Sequence, residues 1–145
     1  MNREIKFRGR CYDGIWMFGY LMPAPRPQIH PSCKHIITAV PHAIKSADIG
    51  LYEVDEDTVG QYTGLKDKNG VEIYEGDIVD VWSQGSHITD GIIRWGDGRC
   101  GFFIGNSTNS MVWNLSGDQY GCETLKVVGN IYDNPELIEG EEGKP

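Results

Sequence analysis

Residues 59–81 read VGQYTGLKDKNGVEIYEGDIVDV, and the punctuation of this stretch decides the fold. Asp67-Lys68-Asn69-Gly70 is a hairpin-loop signal: Asp and Asn side chains bond back to nearby amides, and glycine accepts positive φ without a Cβ clash. Leu65 before the loop and Val71 and Ile73 after it are its strand residues. Tyr74-Glu75-Gly76-Asp77 is a second tight turn, and Ile78-Val79-Asp80-Val81-Trp82 leaves it as a strand. Glu75 and Asp77 raise a rival reading. Residues two apart in a strand point the same way, so the two carboxylates form a candidate acid–base pair. The Gly-Asp turn accounts for both without chemistry, and no histidine or nucleophile neighbours them, so no catalytic residue is assigned.

The same rhythm extends outward. In Glu4-Ile5-Lys6-Phe7-Arg8, Ile5 and Phe7 share one face and the charges the other, which predicts a half-buried strand with its apolar side inward. After the Tyr12-Asp13-Gly14 turn, residues 15–21 (IWMFGYL) are apolar on both faces and complete a hairpin. Five prolines between Pro23 and Pro41 interrupt the pattern, leaving room for a short strand at Lys34–Val40. Strands are expected at Asp48–Val54, His87–Trp95 with a bulge at Gly91, Cys100–Ile104, Met111–Leu115 and Leu125–Tyr132. Asp55 is placed to cap one helical turn. Asn134, ahead of Pro135 and Glu136, is placed to cap another.

Composition agrees with many short strands and tight turns. The chain has 145 residues, 39% hydrophobic and 23% charged, with 19 scattered glycines and 15 aromatic residues. No apolar run approaches the roughly 18 residues that span a bilayer, and MNREIKFRGR has no apolar segment behind it to make a signal peptide. These features point to a cytoplasmic protein without a membrane partner, in which Cys11, Cys33, Cys100 and Cys122 are reduced thiols.

The net charge of −8 is uneven: residues 1–45 carry seven basic and two acidic side chains, the remainder six and nineteen. Lys6, Arg8, Arg10 and Lys34 therefore form a candidate nucleic-acid-binding set, although the chain's overall negative field repels a polyanion. His30, Cys33, His35 and His42 offer imidazole and thiolate ligands of the kind zinc takes, but their spacing matches no zinc-finger pattern. Of Trp16, Trp82, Trp95 and Trp113, each in an apolar strand, Trp95 beside Arg94 and the Gly96-Asp97-Gly98 turn is expected to be the most exposed. Arg94, Trp95, Glu75 and Asp77 form the candidate interaction surface. A Cys/His enzyme would need His87 near Cys100 or Cys122. Phosphate loops and dinucleotide fingerprints are missing, and no cofactor is implied.

Residues 58–79, TVGQYTGLKDKNGVEIYEGDIV, closely resemble the signature of the YopX family, small proteins of phages, prophages and other bacterial mobile elements. REIKFRG near the start, Gly101-Phe102-Phe103 and the closing VVGNIYDNPELI extend the resemblance from Arg3 to Ile138. One departure is Gly9-Arg10-Cys11, where the family tends to carry Ala-Trp. The resemblance implies a β-rich, barrel-like fold and a phage or prophage setting, and it supplies no catalytic residues.

The expected fold is all-β or β-dominated α+β, with short strands in a barrel-like sheet, an SH3-like C-terminal part and one or two helical turns. A single domain over residues 1–139 divides softly near residue 58 and is followed by a flexible tail, 140–145. The expected role is a non-enzymatic accessory protein that binds a protein partner or itself. Nucleic acid is the alternative partner, and an enzyme built on Glu75 and Asp77 the third reading.

Overall fold

A computed structural model describes residues 4–23, 35–39, 50–96, 101–106, 111–115 and 124–139. Strands dominate. Among the described residues there are eleven, with one 3₁₀ turn and one short helix. The chain divides into two compact units, residues 1–62 and 63–145.

The first unit is built on β1 (Phe7–Arg10), β2 (Trp16–Pro23), β3 (His35–Ala39) and β4 (Gly50–Val54), joined antiparallel in the order β4-β3-β2-β1. The tight turn between β1 and β2 has Gly14 at φ 88° and the Cys11 amide donating to the Ile15 carbonyl. Strand β5 (Gly60–Lys66) starts in this unit, where Gly60 and Gln61 pair with Arg8 and Phe7. Asp55 caps the 3₁₀ turn Glu56–Thr58 as expected, its carboxylate accepting the Asp57 amide at 3.1 Å. The inward face of the sheet buries Ile37 and Val54 completely. Gly9 lies against Val54 so closely that a Cβ there would meet the valine methyls at 2.7 and 3.1 Å.

Strand β1 covers its polar side more than the alternation implies, while Phe7 shares the face of Gly9 and Val54. Ile5, just before it, is 59% exposed, whereas Lys6 and Arg8 are 9% and 6% exposed. The reason is aromatic. The Lys6 ammonium sits 4.8 Å from the centre of the Tyr62 ring and bonds Glu4 at 3.3 Å, and the Arg8 guanidinium lies 4.8 Å over Trp16. Rings that accept a cation on their faces let the polar side of the strand be covered without losing its charge partners.

The second unit contains the end of β5, then β6 (Glu72–Tyr74), β7 (Asp77–Ser83), β8 (Ser86–Gly96), β9 (Gly101–Gly105), β10 (Met111–Asn114), β11 (Leu125–Asn130) and α1 (Glu136–Glu139). Strands β7 to β10 run up and down in sequence, and β11 returns to the opposite edge beside β7, giving the order β10-β9-β8-β7-β11. The core comprises Ile73, Val79, Val81, Ile93, Phe102, Ile104 and Leu125. Each such burial is worth about 1.5–3 kcal/mol in transfer free energy, so this cluster drives the unit's folding.

Both turns of the 67–77 stretch form as the sequence implies. Asp67 accepts the Asn69 and Val71 amides at 2.8 and 2.9 Å on one carboxylate oxygen, and Gly70 takes φ 79°. Gly76 takes φ 88°, and the buried Asp77 carboxylate accepts the Tyr74 amide at 2.8 Å. Two local expectations are corrected. Gly91 pairs regularly with Val79. The bulge lies at Ile88, between the pairs Val81–Thr89 and Trp82–His87. Gly91 is instead set by space, because a Cβ there would collide with Ile104. Asn134 does not cap α1 with its carboxamide oxygen, which accepts the Asn130 amide behind it at 3.3 Å.

Candidate functional site

Two surfaces concentrate functional side chains, one in each unit. In the first unit, alternation along β2 puts Trp16, Phe18, Tyr20 and Met22 on one face. Phe18, Tyr20 and Met22 are 48%, 57% and 47% exposed. The register carries this face across the sheet: Tyr20 pairs with Thr38, and Thr38 with Leu51, which is 61% exposed. On the other side, Arg8 and Arg10 stand opposite Phe18 and Trp16. The result is an exposed aromatic and aliphatic row edged by cations that lean on Trp16.

In the second unit, the β7–β8 hairpin gathers Asp80, His87 and Asp90. Asp80 and Asp90 are direct cross-strand partners. The His87 Nε2 lies 2.7 Å from Asp90 Oδ1 and 3.9 Å from Asp80 Oδ1. The bulge at Ile88 makes this possible. An unbroken strand would send His87 and Asp90 to opposite faces. One extra residue turns the imidazole onto the face of Asp80 and Asp90 and leaves Ile88 51% exposed. Burial pushes the Asp80 carboxyl above its ordinary value, as do the hydrogen bond and negative charge of Asp90; His87 and Lys126 pull the other way. Trp82, the register partner of His87, meets the imidazole edge-on at 5.5 Å and carries the Lys68 ammonium over its ring at 5.1 Å. Its indole N–H is shielded from solvent and finds no acceptor among the described residues. Beside Asp90 a shallow surface depression is lined by Ile78, Ile92, Asn106, Leu137 and Ile138.

The residues singled out in the sequence fall unevenly on these surfaces. Lys6 and Arg8 are buried against rings, Arg10 is half-buried, and Lys34 lies outside the described residues. Of the His/Cys set, only His35 is described. It is half-buried, and its Nδ1 has no hydrogen-bond partner among the described residues; His30, Cys33 and His42 lie outside them. Cys11 is half-buried, and Cys33, Cys100 and Cys122 are not described. The Gly76 amide, between Glu75 and Asp77, donates to the carbonyl of Ile93, the residue before Arg94, at 2.8 Å. Asp77 is buried in its turn, and Glu75 and Arg94 are half-buried. Trp95 is 43% exposed, as expected from its place before a turn, and meets Phe102 edge-on at 5.0 Å. The sequence reading missed the Asp80–His87–Asp90 cluster. Alternation alone separates His87 from Asp90, and only the one-residue slip at Ile88 unites them.

Together these features define a β protein of two antiparallel units, with an exposed aromatic face on one and a carboxylate–imidazole cluster on the other. Residues 24–139 match the family model described as YopX protein, and the chain belongs to the YopX family. Among solved structures it is similar to the crystal structure of protein EF1440 from Enterococcus faecalis, with a TM-score of 0.51 and 27% identity. That likeness covers 94% of this chain and 99% of the other. Curated proteins give no match. Among the described residues, no helix is long and apolar enough to cross a membrane.

Proposed function

We propose that this YopX protein is a non-enzymatic accessory protein of a phage or prophage, acting in the bacterial cytoplasm as a protein-interaction module. Its docking surface is the outer face of the first unit, and the strongly paired β7–β10 meander serves as a small, SH3-like scaffold. One observation carries the reading. Phe18, Tyr20, Met22 and Leu51 expose 47–61% of their surface on one sheet face, while Ile37 and Val54 on the other are fully buried. Large apolar side chains in a contiguous exposed row are a partner's contact surface rather than a solvated one, and aromatic residues supply most of the binding energy at such contacts. The partner is a protein with its own apolar patch, because Lys6 and Arg8 hold their charges under rings rather than toward a phosphate backbone.

Affinity purification of the tagged protein from phage-infected cells tests this, run beside a Phe18→Thr/Tyr20→Thr variant. Threonine keeps strand preference while removing the rings. The reading expects a stoichiometric partner, or self-association in sedimentation, that the variant loses. A partner retained equally by both proteins, or neither partner nor oligomer with the parent, overturns it.

A further inference from the structure

The Asp80–His87–Asp90 cluster lies in the other unit and has no part in that docking face. Three features set it apart from an ordinary polar surface. First, the ligand-type atoms of the three residues all lie within 4.8 Å of one another. Second, two carboxylates occupy directly opposed ladder positions, an arrangement that costs stability when both are charged. Third, a one-residue bulge brings the imidazole to them and leaves Ile88 half in solvent.

We propose that Asp80, His87 and Asp90 form a three-ligand site for a divalent transition-metal ion of the zinc class. One imidazole and two carboxylates are an accepted donor set for such ions. Metal–ligand distances of about 2.0–2.2 Å put neighbouring ligand atoms roughly 3.3–3.6 Å apart in a tetrahedral shell. The observed 2.7 and 3.9 Å separations bracket that range, so adjustments of a side-chain torsion suffice. A dication between Asp80 and Asp90 turns their repulsion into shared attraction. Three protein ligands leave the fourth position open to a water or a small anion.

Calorimetric titration of the full chain with Zn²⁺ in chelator-free buffer tests the site. His87→Ala and Asp90→Asn are the site variants, and His30→Ala/Cys33→Ser/His42→Ala is the control for the other ligand-rich stretch. The expected result is one zinc bound by the parent and by the control, weakened about tenfold or more in His87→Ala and Asp90→Asn. Thermal melting gives the second readout. Both site variants should melt like the metal-free parent and lose only the rise that zinc confers. No zinc uptake by the parent, uptake unchanged in His87→Ala, or uptake lost only in the control overturns the proposal. So does a His87→Ala variant that is destabilised without metal and shows an undiminished zinc-induced rise.

Discussion

The carboxylate of Asp67 accepts the backbone amide of Val127 at 2.9 Å, across a sequence separation of 60 residues. Its other oxygen accepts the Asn69 and Val71 amides, so one buried side chain closes the β5–β6 loop and fastens that loop to β11. The Lys68 amide, donating to the Leu125 carbonyl at 2.9 Å, reinforces the junction.

Asp67→Asn should therefore destabilise the second unit by about 2–4 kcal/mol. Asparagine keeps one acceptor oxygen but turns an NH₂ toward an amide donor, stranding the part-buried Val127 N–H. Urea unfolding checks this: the midpoint should fall while the denaturant slope is preserved. A loss below about 0.5 kcal/mol, the level of an ordinary surface substitution, contradicts the assigned role.

Acid should act through the same group. Burial raises the Asp67 carboxyl, but the Val127, Val71 and Asn69 amides and the Lys68 charge outweigh it and hold it below its ordinary 3.8. A depressed folded value means the ionised group adds stability above 3.8, and that contribution disappears as the pH falls through the folded value. Unfolding free energy should show an acid-side decline that Asp67→Asn removes. Parallel pH profiles for the two proteins would contradict this.

Arg8→Ala should cost about 1–2 kcal/mol, because it removes both a cation from the Trp16 face and a packed aliphatic stem. The loss should be nearly independent of salt, since a shielded cation is screened far less than an exposed one. Melting of the pair at low and high ionic strength measures it. A cost that vanishes in high salt would place the guanidinium in solvent.

At Gly9, Val54 occupies the space a methyl group would need. Gly9→Ala alone should destabilise the first unit by about 1–3 kcal/mol. Val54→Ala alone should cost a cavity. The double variant should be more stable than the sum of the two losses, with a coupling of about 1 kcal/mol or more. Strict additivity would show that the two positions do not touch.

Removing the exposed rings should leave folding nearly untouched. Phe18→Thr/Tyr20→Thr is expected to shift stability by no more than about 1 kcal/mol, because both side chains are about half exposed and threonine suits a strand. Thermal denaturation checks it. A large loss would assign the face to the fold rather than to a partner.

Much of the architecture was legible in the sequence. The DKNG loop, the Gly-Asp turn and the strands around them follow from side-chain chemistry within a few residues. So does the Asp55 cap. Failures arose where a partner distant in sequence overrides a local rule. Period-two alternation in residues 4–8 places Ile5 inside. Ile5 is instead exposed, and Tyr62 and Trp16 cover Lys6 and Arg8; no local pattern announces those rings. Gly91 read as a bulge because glycine often marks one, whereas Ile104 on the neighbouring strand demands its empty side. The hairpin cluster was hidden by the slip at Ile88, which a register of pairs reveals and a string of letters does not.

The position of β11 bears on synthesis at the ribosome. Strands β7 and β8 emerge early and can pair at once, but one edge of β7 has no ladder partner until residues 125–130 have left the exit tunnel. Asp67 likewise waits for Val127. The second unit therefore completes only after residues 125–130 have been translated, and a nascent chain stalled before residue 125 presents an open β7 edge to whatever chaperone or neighbouring polypeptide is at hand.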